Sequence, residues 1–119
     1  MLSVAGAFPA PFMGGYSPAK AATLFLSSIT RSELAGQGTE VTALIVGSVD
    51  TRMAAHVQGR KEDPADIARA GLDALDRGEH VSDTDFMAID ARARYARDPL
   101  RYERGMTKLL NATTMDTGR

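Results

Sequence analysis

Cysteine is absent from this chain of 119 residues, which excludes disulfide bonds and thiolate zinc sites. Net charge is also nearly absent, because 14 basic residues are balanced by 15 acidic ones. The composition therefore shows no excess of positive charge that would favour binding to nucleic acid or to an anionic membrane. No apolar run approaches the ~20 residues of a membrane span. The two histidines, His56 and His80, stand apart in the sequence and do not indicate a metal site.

The apolar start of the chain, residues 2–10, lacks the features of a secretory signal. No lysine or arginine precedes it, and Pro9 and Pro11 interrupt its apolar character. We therefore predict a cytoplasmic protein that binds no metal and associates with neither nucleic acid nor membrane. An apolar content of 44% over this length is enough for one domain with a modest core.

What the sequence does contain is an alternation of strand-like and helix-like segments. The predicted elements, in chain order, are a strand end at residues 1–4, a helix over 16–35, a strand over 40–47, a helix over 63–78, a short strand at 79–81, and helices over 84–97 and 100–110. Residues 40–47, EVTALIVG, are apolar and bounded by glycines, as in a buried parallel strand. This order indicates an α/β fold with parallel strands. We predict one domain over residues 1–110 and a disordered tail over 111–119.

Each of the two stronger helices has an apolar face. In the first helix, the face consists of Ala22, Phe25, Leu26 and Ile29. This face is expected either to join the core or to form a subunit interface, and a homo-oligomer through the residue 16–35 helix is one possible assembly. In the helix over 63–78, the predicted packed face consists of Ile67, Ala70, Gly71, Ala74 and Leu75.

A chemically suggestive pair opens the first helix. Tyr16 and Lys20 are four residues apart, so their side chains lie about one turn apart on a shared face. An ammonium held near a phenol favours the phenolate, which makes the pair a sensible proton donor and acceptor. An isolated pair of this kind also occurs by chance as a half-buried tyrosine and a solvated lysine.

The surroundings of this pair resemble the short-chain dehydrogenase/reductase family. That family has a serine and a glycine on a strand, then Y-x-x-x-K about a dozen residues later, then a strand that ends in P-G-x-[VI]-x-T. The matching residues here are Ser3, Gly6, Tyr16, Lys20, Gly47, Val49 and Thr51. The resemblance covers residues 2–78 firmly and 79–104 loosely. It implies the C-terminal half of a Rossmann-like, doubly wound parallel sheet.

The resemblance also implies a role for each matching residue. Tyr16 would exchange a proton with an alcohol or carbonyl substrate, and Lys20 would assist it and bind the ribose of NAD or NADP. Ser3 would hold the substrate oxygen. Gly47, Val49 and Thr51 would contact the nicotinamide end of the cofactor. We expect Tyr16, Lys20 and Thr51 to face one cleft at the carboxyl ends of the strands.

Phe8, Phe12 and Met13 lie where the family's substrate loop runs, and they suggest either an apolar substrate wall or ordinary loop packing. Val46 departs from the family pattern, because it occupies the place of the usual proline. A valine keeps its N–H and a freer φ angle, so the entry into Gly47 is less fixed.

The family's first half has no counterpart in this sequence, which contains no glycine-rich strand–turn–helix element for a pyrophosphate. We expect strand 40–47 to leave an apolar edge exposed as a result. The chain is read as a fragment, as a degenerate remnant or as one half of a split enzyme. The isolated chain is expected to be inactive.

The predicted function is that of an NAD(P)-dependent oxidoreductase fragment acting on a small alcohol or carbonyl compound. The rival interpretation is a non-catalytic helical interaction protein that keeps remnants of the motif. The joint spacing of Ser3, Tyr16, Lys20, Gly47 and Thr51 favours the first interpretation. The sequence does not distinguish NAD from NADP, and it does not identify the substrate.

Overall fold

The strands and helices form a short βαβαβ unit followed by two helices. The computed structural model describes residues 1–84 and 86–117, apart from the side chains of residues 87, 88 and 114–117. The elements are β1 (Leu2–Ser3), α1 (Tyr16–Leu34), β2 (Ala43–Val46), α2 (Pro64–Asp76), β3 (Val81–Asp83), α3 (Phe86–Arg97) and α4 (Pro99–Thr117). Short 3₁₀ turns follow β1 and α1, and another lies at Arg52–Ala54.

The three strands form one parallel sheet in the order β1-β2-β3. Leu2 pairs with Ile45 and Ser3 pairs with Val46, so the chain start lies parallel to β2 with α1 as the crossover between them. The predicted parallel direction of the strands is confirmed. The expected exposed edge on strand 40–47 is wrong, because β2 is the central strand and is paired on both sides. The outer strands of this sheet are β1 and β3.

The two crossover helices cover opposite faces of the sheet. Ile45 is fully buried in a cluster with Leu2 and Ala43, and Leu24 of α1 packs against this cluster. Leu44, the neighbour of Ile45 in β2, lies against Gly71 of α2. Because successive side chains of a strand point to opposite faces, α1 and α2 form the two outer layers around the sheet.

Three residues near the ends of α2 fit their positions. Asp63 caps the helix, and its carboxylate accepts hydrogen bonds from the N–H groups of Ala65 and Asp66. Pro64 occupies the first helical position, and Gly78 adopts a φ of +70° just beyond the end. The predicted packed face is also correct. All five of its members are buried or half-buried, namely Ile67, Ala70, Gly71, Ala74 and Leu75.

The expectation that the apolar face of α1 joins the core is wrong, while its alternative, a subunit interface, stays a prediction. Phe25, Leu26 and Ile29 are 76%, 58% and 50% exposed, and the helix turns Ser17 toward the turn after β1 and Leu24 toward the sheet instead. The buried side of α1 starts with the small residues Ser17 and Ala21, where the helix backbone lies against Gly6, and continues with Leu24. Phe25, Leu26 and Ile29 lie on the exposed side of the helix.

Arg31 ties the C-terminal part of α1 to the sheet. Its Nε donates a hydrogen bond to the carbonyl oxygen of Val41 at 2.7 Å, and its Nη2 donates to that of His80 at 2.6 Å. These carbonyl groups precede β2 and β3. One guanidinium therefore joins the amino ends of two neighbouring strands to the crossover helix.

The C-terminal region is more helical than predicted. Asp98 separates α3 from α4, and its carboxylate accepts a hydrogen bond from the N–H of Arg101 at 2.9 Å. Helix α4 continues to Thr117, where a disordered tail from residue 111 was predicted. No proline or glycine interrupts residues 106–117, so the helical hydrogen bonding continues. Residues 118 and 119 of the predicted tail lie outside the described residues. Among the described helices, none is long and apolar enough to cross a membrane.

Gly6 fixes the distance between the turn after β1 and α1. A methyl group placed on Gly6 would lie 2.6 Å from the carbonyl carbon of Lys20, well inside van der Waals contact. We predict that Gly6→Ala lowers the free energy of unfolding by about 1–3 kcal/mol, because backbone atoms of α1 must move away. Gly36→Ala is the matched control, since no atom lies within 4 Å of its added methyl group. Urea denaturation of both variants tests this, and a Gly6→Ala chain as stable as the parent contradicts it.

Candidate active site

Tyr16 and Lys20 are in contact at the start of α1. The helix begins at Tyr16 after the glycine pair at residues 14–15. The Nζ atom of Lys20 lies 5.5 Å from the centroid of the Tyr16 ring, which is within the range of a cation–π contact. Tyr16 is 47% exposed, so its phenol remains accessible to a bound molecule. The ammonium and the phenol are therefore held together, with the ring open to solvent.

Strand pairing places Ser3 at the carboxyl edge of the sheet. It is the last residue of β1, and its partner Val46 is the last residue of β2. The loop that starts at Gly47 therefore leaves the sheet beside Ser3, at the carboxyl ends of both strands. The Ser3 hydroxyl accepts a hydrogen bond from the N–H of Ala5 at 3.2 Å and caps the turn that follows.

The loop after β2 is fastened at its base. Val49 forms a parallel bridge with Glu62, the N–H of Asp50 donates to the carbonyl oxygen of Glu62 at 2.8 Å, and the N–H of Glu62 donates to that of Ser48 at 2.9 Å. Lys61 forms an ion pair with Asp50 at 3.6 Å. These contacts hold residues 48–50 in place and let the segment over 51–60 project as a loop.

Thr51 stands at the start of the projecting segment. It is exposed and extended, and its carbonyl oxygen accepts a hydrogen bond from the N–H of Ala54 at 3.1 Å. The hydrogen bonds of Ser3 and Thr51 thus run to near neighbours rather than to Tyr16 or Lys20. In the structure, Lys20 contacts the ring of Tyr16, and Ser3 pairs with Val46 in the sheet. A cleft shared by Tyr16 and Thr51 stays a prediction.

Ser17 is a site residue that sequence reasoning missed. It is 5% exposed, and its hydroxyl donates to the carbonyl oxygen of Ala5, accepts from the N–H of Ala10 at 3.1 Å, and lies 3.2 Å from the carbonyl oxygen of Phe8. The sequence signal for this role is a serine in the first turn of a helix that follows a loop with Pro9 and Pro11. A side chain at that position can hydrogen-bond to the backbone of the loop. The hydroxyl joins the loop between Ser3 and Tyr16 to the first turn of α1.

A large cavity lies beside this loop. Its volume is about 810 Å³, and residues 6–14, α1 and the α3–α4 pair surround it. Phe8 and Met13 line it, whereas Phe12 does not line it and is 62% exposed. Whether Phe8 and Met13 form a substrate wall or only pack the loop stays open. Ser3, Tyr16 and Lys20 are not among the lining residues. The cavity is therefore a neighbour of the Tyr16–Lys20 pair rather than a chamber around it.

Tyr16, Lys20 and the loop at 47–51 are the expected contacts of a nicotinamide and its ribose. The pair stands at the accessible start of α1, and the loop leaves the sheet at the carboxyl end of β2. That both meet one bound cofactor stays a prediction. No strand-to-helix turn among β1–β3 is glycine-rich enough to hold a pyrophosphate. In the described part of the chain, no group of three or more acidic or histidine side chains is arranged to hold a metal ion.

Comparison with known proteins identifies this arrangement. The family model described as short chain dehydrogenase matches residues 1–62 of the 119 residues, which is just over half of the chain. The chain belongs to the short-chain dehydrogenase family. The match includes β1, α1, β2 and the loop up to the Glu62 bridge, so it covers every predicted site residue.

A solved structure of the same family agrees with the fold. The chain is similar to a short chain dehydrogenase from Burkholderia cenocepacia J2315, crystallised in complex with NADP, with a TM-score of 0.82 and 28% sequence identity. The match covers 88% of this chain and 44% of the Burkholderia chain, so the present chain spans less than half the length of that protein. None of the curated proteins searched matches this chain.

The Ser17 contacts generate a prediction. Ser17→Ala removes the partner of a buried carbonyl and of the Ala10 N–H, so we expect the free energy of unfolding to fall by about 1–3 kcal/mol. Amide hydrogen exchange at Ala10 should accelerate as the loop detaches from α1. Ser28→Ala, which removes a hydroxyl from the exposed side of the same helix, is the control and should change neither value. Unchanged exchange at Ala10 in Ser17→Ala contradicts the proposed role.

Proposed function

We propose that this chain is the C-terminal half of an NAD(P)-dependent short-chain dehydrogenase that interconverts an alcohol and a carbonyl compound. The carrying observation is the contact between Tyr16 and Lys20 on a crossover helix that follows a strand ending in Ser3. In open α/β sheets, ligands bind at the carboxyl ends of the strands, and both β1 and β2 end there. Membership of the family supports the same assignment.

Each residue of the chain has a defined task in this proposal. Tyr16 donates a proton from its phenol to the carbonyl oxygen during reduction, and it accepts the proton back during oxidation. Lys20 holds positive charge beside the phenol and so stabilises the phenolate that forms. Ser3 donates a hydrogen bond to the same substrate oxygen, and its own oxygen can keep the hydrogen bond that it accepts from the Ala5 N–H. When bound, the nicotinamide cofactor supplies or accepts the hydride.

The loop after β2 orients the nicotinamide end. The bridge between Val49 and Glu62 holds the backbone of this loop near the sheet. Gly47 and Thr51 flank the bridged residue and are the proposed contacts of the nicotinamide. Val46 replaces the usual proline of the family here, and it uses its strand conformation to pair with Ser3. The contacts at this position rest on backbone atoms, and we therefore expect them to survive the replacement.

The isolated chain should bind NADH or NADPH poorly and should show no measurable turnover. Its contacts reach only the nicotinamide and its ribose, while the pyrophosphate and adenosine would find no glycine-rich turn. Loss of such remote binding energy lowers the chemical rate as well as the affinity. Titration calorimetry with both cofactors and an absorbance assay with a panel of ketones and aldehydes measure this. Robust turnover by the isolated chain contradicts the proposal that it is one half of an enzyme.

A hybrid tests the role of Tyr16 directly. The amino-terminal half of the Burkholderia protein, joined to this chain, should restore the reduction of a carbonyl substrate. In that hybrid, Tyr16→Phe removes the proton donor and should lower the rate by about 10²-fold or more. Ser28→Ala, on the exposed side of the same helix, is the control and should keep full activity. Full activity in the Tyr16→Phe hybrid would exclude the assigned role.

Assembly through α1 remains part of the proposal. The exposed row of Phe25, Leu26 and Ile29 is the apolar surface that a second copy would cover. We expect Leu26→Glu to shift the sedimentation coefficient toward that of a monomer. Leu72→Glu introduces the same charge at a residue of α2 that is 64% exposed and should leave the assembly unchanged. The rival interpretation, a non-catalytic interaction protein, predicts the same loss of assembly together with an inactive hybrid.

A further inference from the structure

The C-terminal helix pair, α3 and α4, lies outside the part of the chain that the family model matches, which ends at residue 62. The proposed reaction uses neither helix. Helix α3 begins just beyond the carboxyl end of β3, and it contacts both β3 and the turn over Val4–Gly6. The helix pair therefore reaches from the end of the third strand to the turn that follows the first strand.

The start of the helix pair is anchored to the sheet. The N–H and the hydroxyl of Thr84 each donate a hydrogen bond to the carbonyl oxygen of Ile45 in the central strand, both at 3.0 Å. Arg92 of α3 forms an ion pair with Asp83, the last residue of β3, at 3.1 Å. Both side chains of this ion pair are only partly exposed, so water screens it less than a pair on the open surface. These contacts fix the position at which α3 starts.

The helix pair contacts the loop over residues 7–15 through aromatic rings. The ring of Tyr102 in α4 meets that of Phe8 edge to face with centroids 5.2 Å apart, and it meets that of Tyr95 in α3 at 5.6 Å. Aromatic pairs favour this geometry because the positive ring edge faces the negative ring face. Burial raises the pKa of Tyr102, so its phenol is uncharged at neutral pH. One ring of α4 thus joins both helices to the loop.

Phe8 is also held from the side of α1. The hydroxyl oxygen of Ser17 lies 3.2 Å from the carbonyl oxygen of Phe8, and Ser17 directly follows Tyr16 at the start of the helix. The ring of Phe8 therefore contacts α4, while its backbone contacts the first turn of α1. One loop residue connects the helix pair to the neighbour of the proposed proton donor.

The loop depends on such contacts because its backbone is strained. Phe12 adopts a φ of +73°, in the left-handed region that bulky residues rarely occupy. A backbone in this region persists only where the surrounding structure holds it there. The contacts of Phe8 with Tyr102 and with Ser17 are of this kind, since they tie the loop to two different helices.

We propose that the helix pair holds the loop over residues 7–15 in its conformation and thereby positions Tyr16, with Tyr102 as a positioning residue that acts through Phe8. The part of this inference that concerns proton transfer by Tyr16 rests on the proposed function. Tyr102 itself touches neither substrate nor cofactor in this scheme. Its ring rather than its hydroxyl carries the effect, because the contacts with Phe8 and Tyr95 are ring contacts.

Amide hydrogen exchange tests the contact without cofactor or turnover. The Ala10 N–H donates to the Ser17 hydroxyl, so it reports on the attachment of the loop. Tyr102→Leu removes the ring, and we expect exchange at Ala10 to accelerate by about two- to tenfold. The Ala43 N–H, which donates to the carbonyl oxygen of His80 beside the sheet, should keep its exchange rate. A general loss of stability would accelerate exchange at Ala43 as well.

Control variants separate the ring of Tyr102 from its hydroxyl and from the helix pair as a whole. Tyr102→Phe keeps the ring and should leave exchange at Ala10 unchanged. Phe86→Leu removes a ring that is 80% exposed at the start of α3, and it should also leave exchange at Ala10 unchanged. Phe8→Leu removes the same contact from the loop side and should accelerate exchange at Ala10 as Tyr102→Leu does. It keeps the test decisive if Tyr102→Leu fails to fold.

Kinetics of the hybrid enzyme test the consequence for Tyr16. A misplaced proton donor slows the chemical step and leaves cofactor binding intact. Tyr102→Leu should therefore lower kcat by about ten- to a hundredfold and change the KM of the nicotinamide cofactor by less than about twofold. Tyr102→Phe should keep the parent kcat. Phe8→Leu should match Tyr102→Leu, and the double variant should lose no more than either single variant, because both act along one route.

Two exchange results would overturn the inference. One is a parent-like rate at Ala10 in both Tyr102→Leu and Phe8→Leu, and the other is equal acceleration at Ala10 and Ala43, which assigns Tyr102 to general stability. In an active hybrid, a parent-like kcat in Tyr102→Leu or multiplied losses in the double variant exclude positioning through Phe8. An inactive parent hybrid counts against the proposed function, while the exchange rates still decide whether the helix pair holds the loop.

Discussion

The contact between Gly6 and the backbone of Lys20 is the constraint on which the rest of this unit depends. No side chain fits between the turn after β1 and the first two turns of α1, so these two segments touch through backbone atoms. The contact sets the position of Lys20, and through the helix it sets that of Tyr16. The small residues Ser17 and Ala21 stand on the inner side of these first turns, whereas the bulky row at Phe25, Leu26 and Ile29 is exposed.

A second constraint is the register between β1 and β2. Ser3 and Val46 are the last residues of their strands and are paired, so β1 and β2 end side by side. The loop that begins at Gly47 therefore starts next to Ser3. With α1 on one face and α2 on the other, the carboxyl edge of the sheet lies at the ends of β1 and β2, where we propose that the site forms. Strand pairing positions Ser3 and the Gly47 loop at this edge.

The unit buries few large side chains for its length. The buried apolar residues are Leu2, Ala5, Ala43, Ile45, Val46, Ile67 and Ala74, and Ile45 is the large one that is completely enclosed. The radius of gyration is 16.1 Å, against about 13.5 Å for a compact domain of this length. Apolar surface thus remains on α1 and around the cavity. Such surface is typical of a unit that is completed by further protein or by ligand.

The sequence by itself determined the order and type of the elements, the parallel direction of β1 and β2, the caps of α2 and the family. These features rest on local signals, such as Asp63 before Pro64 and the apolar run over 40–47, or on the fixed spacing of Tyr16 and Lys20. Such signals depend on residues that are close together in the chain, so they can be recognised from the sequence alone.

Only the tertiary structure decided which side of α1 is buried, which strand is central and which residues enclose the cavity. A helical period marks an apolar row, but it does not show whether the row at Phe25 and Leu26 or the side that carries Leu24 meets the sheet. Likewise, Phe8, Tyr95 and Tyr102 are far apart in the chain, and only the packing of α3 and α4 on the loop brings their rings together. Contacts between distant segments depend on the shape of both partners, which periodicity along one segment does not encode.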